Sequence, residues 1–594
     1  MKLVVAGLLA LSLLTPALAK DEKVLRYAFR VAETGFDPAR IQDLYSRMIT
    51  PHIFESLVTY DHLARPAKLK PLTAEAMPEP NADFTVWTAR IKPGIYFTDD
   101  PAFGGKKREL VAQDYVYSFT RYADPAIPSP GWTAVETWGI QGLKEARDKA
   151  QSSKKPFDYD TPIAGLKAVD RYTIRITLTK PSPRFLQELA QADLYGAVAR
   201  EVVEKYGDQI MAHPVGTGPF VLTQWRRASL IVLERNAAYR ERFYDAEPNA
   251  DDAEGQALLA KFKGRRIPMI DRVEVSIIDE NQPRWLSFLN KEHDFIERVP
   301  EDFITQVAPG GKLAPNLVKQ GMTLYRILNS EVFFNMFNMD DPVVGGMTPD
   351  KVALRRAISL AMDTEAEIRM VRRGQAIPAQ SSYVPNTSAY DPKLKTENSD
   401  FDPPRAKGLL DAFGYVDKDG DGCRDAPDGK PLNLVMNTSP DNFQRQLDER
   451  FEKDMRRISL CIKFNPAKWP EQLRAARTGK YQMWPVAQQA DKPDSLSSLA
   501  RLHGAQIGSN NLSRFNHPEV NKLYEQAAVM PDGPERLAVF RRAALIATAY
   551  APIKFKGHRF LTDITRAQMS GYRRPLFWQN WWEYIDIDAS KVPQ

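Results

Sequence analysis

The sequence predicts an α/β protein of several domains, and three observations predict it. Its 594 residues are too many for one hydrophobic core. Runs that alternate apolar and polar residues at period two recur along the chain, with helix-like stretches between them. The 44 prolines fall largely at the edges of those runs, the pattern of a loop-rich layered protein.

The N-terminus reads as a secretory signal over residues 1–19. Lys2 supplies the positive end, Leu3 to Leu14 is apolar apart from Ser12, and Ala17-Leu18-Ala19 is a small-x-small cleavage site after Thr15-Pro16. The apolar run is too short to span a bilayer, and no cysteine near the site offers a lipid attachment point. A soluble periplasmic protein of a Gram-negative cell is expected. Formal net charge is +6 from 81 basic and 75 acidic residues, which gives no warrant for nucleic-acid binding.

The elements follow in order. Val24-Leu25-Arg26-Tyr27-Ala28-Phe29 reads as a strand, followed by Phe36-Asp37-Pro38 and a helical stretch to Glu55-Ser56-Leu57-Val58-Thr59-Tyr60-Asp61. Phe84 to Ile91 and Tyr172 to Leu178 alternate at period two, and the helix between them starts at Val111-Ala112-Gln113-Asp114. Asp114 then lies in a first turn, where the helix dipole favours a carboxylate. A tight turn is predicted at Gly216-Thr217-Gly218-Pro219-Phe220, then a strand at Leu230 to Leu233 and a polar insertion at 241–264. Helix and strand alternate over 296–555, and the chain ends in the aromatic run Phe577-Trp578-Gln579-Asn580-Trp581-Trp582.

Two distant segments carry a family pattern. Gly216 to Phe220, with Trp225 and Leu233-Glu234-Arg235-Asn236-Ala237-Ala238-Tyr239, precedes Val352-Ala353-Leu354-Arg355-Arg356-Ala357-Ile358, Ala361-Met362-Asp363 and Gly374-Gln375-Ala376-Ile377-Pro378-Ala379. In this order and spacing they resemble extracellular solute-binding proteins of family 5, the periplasmic peptide receptors of ABC importers. The resemblance implies a periplasmic-binding-protein-like fold of the large peptide-binder subclass. It implies two lobes on a hinge, with an extra small β-rich domain. Its expected boundaries are lobe I at 20–71 and 181–285, the small domain at 72–180, lobe II at 286–555 and a return to lobe I at 556–594.

The same resemblance places the ligand. Ala490-Asp491-Lys492-Pro493-Asp494-Ser495 matches the motif whose aspartate pairs with a peptide's N-terminal ammonium, so Asp491 is the leading site residue. Asn338, which ends Phe333-Phe334-Asn335-Met336-Phe337-Asn338, matches an asparagine bordering the cleft. Trp484 is a candidate stacking ring, and Gln488 and Gln489 stand where the family often has Gly-Trp. Partners implied are a peptide or peptide-like ligand and an inner-membrane ABC permease, with the receptor a monomer.

Other chemistry is sparse. Seven histidines show no zinc-ligand spacing, and no Cys-x-x-Cys, serine elbow or phosphate loop occurs, so no enzyme and no required cofactor is expected. Asp417, Asp419, Asp421, Asp425 and Asp428 fall at EF-hand loop positions, a possible Ca²⁺ site using the Cys423 carbonyl; a plain Asp/Gly-rich turn is the alternative. Cys423 and Cys461 flank a predicted strand and helix and are expected to form a disulfide rather than two buried thiols. The same fold taking haem, a metal chelate, an opine, a sugar or a peptide antibiotic, or serving as a periplasmic chaperone or enzyme, are the competing readings.

Overall fold

The computed structural model describes residues 22–592, so the expected signal at 1–19 lies outside the described residues. A twelve-stranded mixed sheet runs through the molecule. One half holds Phe220–Arg226, Leu230–Arg235, Arg272–Ile277, Val24–Phe29 and Phe295–Ile296; the other holds Glu331–Phe337, Met483–Gln489, Leu434–Thr438 and Ile462–Pro466. Each half has its own core and forms one lobe. Leu25, Tyr27, Ile231 and Val273 pack in the first lobe, and Leu354, Leu410, Met436 and Phe451 pack in the second.

One strand, Ile553–Thr565, belongs to both halves. Its first part pairs with Phe333 to Met336 and its last part with Thr323 to Leu328. Chain segments 323–337 and 553–565 are therefore two antiparallel crossings between the lobes. The register shifts at Phe333/Phe334, opposite Gly557, where a Cβ would meet the Phe333 ring at 2.6 Å and the Ile377 carbonyl at 2.7 Å. Only glycine leaves room for that approach.

The small unit is a four-stranded antiparallel sheet of Glu79–Pro80, Val86–Arg90, Thr173–Thr177 and Leu166–Ala168. Trp87, Ala89, Ile174 and Ile176 are its buried face, as period-two patterning requires, and the helix Ala112–Thr120 contributes Tyr115 and Phe119 to the same core. The Asp114 carboxylate accepts the Val111 backbone N–H at 2.8 Å and two bonds from Arg108 at 2.6 and 3.1 Å. Arg108, just before this helix, thus supplies its countercharge.

Gly216 and Gly218 do their work by close approach. Neither has a positive φ; instead a Cβ on Gly216 would overlap the Ile53 carbonyl, and one on Gly218 would lie 2.6 Å from the His52 carbonyl oxygen. Beside them sits Glu55, 2% exposed. It accepts from Arg240 at 2.6 and 2.9 Å, from Thr217 Oγ1 at 2.9 Å and from the Tyr239 hydroxyl at 2.9 Å. One carboxylate thereby joins the opening signature, the glycine turn and the Asn236-to-Tyr239 run. The small sheet is tied in by Asp37, buried against Arg121 through two bonds of 2.7 and 2.8 Å.

The insertion at 241–264 is an ordered unit rather than a loose polar loop. Its helix Ala253–Phe262 buries Phe262 against Tyr244, Leu63 and Tyr584. The aromatic tail is buried too: Trp582 stacks on His52 with centroids 4.0 Å apart, and Trp581 lies 6.2 Å from Tyr27. Cys423 and Cys461 are joined in a disulfide at the outer edge of the second lobe.

Two expected outcomes follow from this packing. Burial pushes the Glu55 carboxyl up, but the Arg240 guanidinium outweighs it and holds the group below its ordinary value near 4.5. Its stabilisation is therefore full above that pH and is lost as pH falls through the lower folded-state value. Glu55→Gln should cost about 3 kcal/mol or more near neutrality, because it strands Arg240, and should flatten the acid limb of the stability curve. Urea melts at several pH values check both. The disulfide closes a segment of 38 residues, worth about 4 kcal/mol in the chain-entropy model. Cys423→Ser/Cys461→Ser, or reductant, should lower Tm correspondingly in calorimetry.

Candidate ligand cleft

The strand Met483–Gln489 organises the site. On one side it pairs along its full length with Glu331–Phe337. On the other, only Met483 meets a strand, at Met436, before Leu434–Thr438 splays away. From Trp484 to Gln489 the outer edge has no strand partner among the described residues. Its backbone N–H and C=O groups are open to an added strand.

A cavity flanks each face of this edge. The first, about 210 Å³, is lined by Phe333, Asn335, Pro485, Phe443, Arg372 and Lys556. The second, about 250 Å³, is lined by Phe334, Met336, Leu473, Gln488, Arg501 and Leu512. Trp469 borders both, 52% exposed, with its ring centroid 5.2 Å from Trp484. The Asn335 amide oxygen is buried without a hydrogen-bond partner among the described residues, so the first cavity holds an unused acceptor. Its cations are paired: Arg372 reaches Glu367 at 2.8 Å, Lys556 contacts the same carboxylate, and Arg559 bonds Glu331.

Asp491 lies just past the strand, exposed, with no hydrogen bond among the described residues; its charge is felt at Arg47 of the first lobe and at Lys492 and Arg501. Its neighbours span the cleft. Lys492 Nζ meets Glu188 at 2.6 Å. Asp494 accepts from Arg536 at 2.8 and 3.0 Å and is 3.0 Å from Arg184 Nε. Glu188 lies in the helix Phe185–Leu189, which packs Phe185 on Trp87 and Trp138 of the small unit. Although burial lowers it, the Lys492 ammonium is raised above its ordinary value by Glu188 and Asp491.

Not every expected residue reaches the cleft. Asn338 is 2% exposed; its amide donates to the Gly479 and Tyr481 carbonyls at 2.9 and 2.7 Å and accepts from the Asp340 N–H, so it pins a turn. Trp484 is 2% exposed and belongs to the core, and Trp469 presents the ring that was expected of it. Gln488 faces the second cavity, where it accepts from Arg501 Nε, and Gln489 is exposed at the strand end. Sequence reasoning missed Trp469 and Arg501, since neither position follows from periodicity.

The acidic loop is partly assembled. Carboxylates of Asp417, Asp419 and Asp425 come within 4.8 Å of one another. Asp421 instead accepts the Cys423 N–H at 2.7 Å, and Asp428 pairs with Lys430 at 2.7 Å. Those two expected ligands thus stand outside the cluster, each taken up by a local partner. The Asp417 carboxylate itself accepts the Gly420 and Gly422 N–H groups, as an Asp/Gly turn does.

Two lobes on a double crossing, with a free strand edge between two cavities, define a hinged solute-binding protein. The model of bacterial extracellular solute-binding proteins, family 5 (Middle), matches residues 68–510, and the chain belongs to this family. It is 25% identical to di/tripeptide-binding protein 2 of Pseudomonas aeruginosa, over 94% of this chain and 93% of that one. It is 24% identical to heme-binding protein A of Haemophilus influenzae, over 91% and 87%. Its fold matches a periplasmic binding protein of Helicobacter pylori solved with the peptide STSA, with a TM-score of 0.69, 20% identity and coverage of 95% and 98%. Among the described residues no helix is long and apolar enough to cross a membrane.

The Lys492–Glu188 pair should bias the lobes towards closure. Glu188→Gln should increase the radius of gyration of the ligand-free protein in small-angle scattering. It should weaken ligand binding about threefold to thirtyfold, the worth of one partly shielded ion pair.

Proposed function

We propose that this chain captures peptides in extended form and delivers them to the permease of an inner-membrane ABC importer. It works as a monomer in the periplasm, after removal of residues 1–19. The observation that carries the reading is the unpaired edge from Trp484 to Gln489, set between two cavities. A peptide adding there pairs through its backbone, which gives affinity independent of sequence. Successive side chains of a strand point to opposite faces, so they enter the two cavities in turn. Asp491, exposed at the end of that edge and without a hydrogen bond among the described residues, is the group we assign to the N-terminal ammonium. The names of the relatives favour a peptide, and one names haem; among the described residues no histidine lines either cavity, which favours the peptide. Membership of a binding-protein family supports a chain that binds its ligand and returns it unchanged.

Native mass spectrometry of protein taken gently from periplasm should release short peptides. In calorimetry, Asp491→Asn should weaken a free-amino peptide about 30-fold or more, while the N-acetylated peptide should bind weakly to both forms. Equal binding of the two peptides by the native protein would remove the ammonium role.

A further inference from the structure

The open strand edge has a fixed pattern of backbone groups. Ala490 donates its N–H to the Ser330 carbonyl at 2.8 Å, and the Gln482 carbonyl accepts the Asn338 N–H at 2.9 Å, so both residues turn their groups towards Glu331–Phe337. Trp484, Val486 and Gln488 lie between them at the same phase, opposite Met336, Phe334 and Val332. The alternate residues Pro485, Ala487 and Gln489 therefore aim their backbone groups outward. Those groups have no hydrogen-bond partner among the described residues.

Two features bound this row. Beyond Pro485 the next outward residue is Met483, and it is already paired with Met436. Pro485 itself has no N–H. The strand Glu331–Phe337 loses nothing by that, because Pro485 stands opposite Asn335 at a position where the missing donor would point away from the ladder. The deficit falls wholly on the side where a ligand adds. The row thus offers the carbonyls of Pro485, Ala487 and Gln489 but the N–H groups of Ala487 and Gln489 alone.

We propose that Pro485 is a length-determining residue, which together with the Met483–Met436 pairing ends the ladder open to a ligand at its fifth residue. This limit rests on the peptide-capture reading above and on Asp491 meeting the ammonium, which run the ligand antiparallel to Met483–Gln489. The first ligand residue then pairs with Gln489, the third with Ala487 and the fifth with Pro485. The first and third make two bonds each. The fifth donates its N–H to the Pro485 carbonyl, and its own carbonyl finds no donor on the strand. A sixth residue adds no bond, and a seventh stands opposite Met483, whose outward side the strand Leu434–Thr438 already occupies. Side chains alternate with the pairing, so the second lies on the face of the second cavity beside Gln488 and the third on the face of the first beside Ala487.

Calorimetry on the full-length protein with C-terminally amidated alanine peptides of three, five and seven residues, all with free N-termini, tests this. The pentapeptide should bind about 2- to 12-fold more tightly than the tripeptide, the worth of one more backbone bond, and the heptapeptide should bind more weakly than the pentapeptide. Pro485→Ala supplies the missing donor and should raise the pentapeptide-to-tripeptide affinity ratio by a further factor of about 2 to 12. N-methylation of the fifth ligand residue reads the same register without altering the protein, and it should return the pentapeptide to the affinity of the tripeptide. A heptapeptide bound as tightly as the pentapeptide overturns the limit. A ratio that Pro485→Ala leaves unmoved overturns the role of Pro485, and indifference to N-methylation overturns the register; all three outcomes leave peptide capture standing. Failure of every peptide to bind the native protein overturns peptide capture and the length limit with it.

Discussion

The strand Ile553–Thr565 is the constraint on which the rest of the molecule turns. It is one continuous piece of backbone that completes both halves of the sheet. A lobe cannot rotate far without bending this strand and the 323–337 segment beside it, so relative motion is confined to an axis through the two crossings. The register shift opposite Gly557 sets where that bend is easiest, since a shifted ladder holds fewer bonds. The same strand also builds the cavities, because Ile553 lines one and Lys556 and Arg559 line the other. Cleft shape and hinge position are therefore not independent properties.

Much of the fold was legible because strand periodicity reports one thing well, which face is buried. Trp87, Ile174 and Ile176 lie where alternation puts them. The scattered family segments were legible as a pattern, and Glu55 gives the physical reason for their coexistence: a single buried carboxylate needs Thr217, Tyr239 and Arg240 together. What periodicity does not report is the neighbour. Trp484 sits on its strand and Asn338 directly follows Glu331–Phe337, yet the core and the turn at Gly479 absorb them. Arg501 is the converse. An arginine closing a short helix looks like a solvated residue in sequence, and only the packing of that helix under the strand edge buries it. The acidic loop shows the same limit, since spacing alone could not tell which of its carboxylates a lysine would take.

The run Ala490 to Ser495 divides its labour residue by residue. Asp494 is consumed by two arginines and Lys492 by Glu188 across the cleft, and that leaves Asp491 as the unspent charge. A motif of this kind fixes its free member by tying down the others. The position of the exposed Asp491 carboxylate is then set by ion pairs in which it takes no part.

The first strand and the aromatic tail share one core: Tyr27 lies against Trp581 and Trp582, and Lys23 pairs with Asp586 across 563 residues of chain. That contact has a kinetic meaning. The first lobe is not sealed until residues 569–587 reach the strand Val24–Phe29. Its search must close a loop of 563 residues, which is slow relative to local helix formation. The second lobe and the small sheet are sequence-local by comparison and can form while the first is still unsealed. A chain in which residues 569–587 have not docked leaves the apolar strand Val24–Phe29 uncovered, the kind of surface on which a holdase or a protease acts.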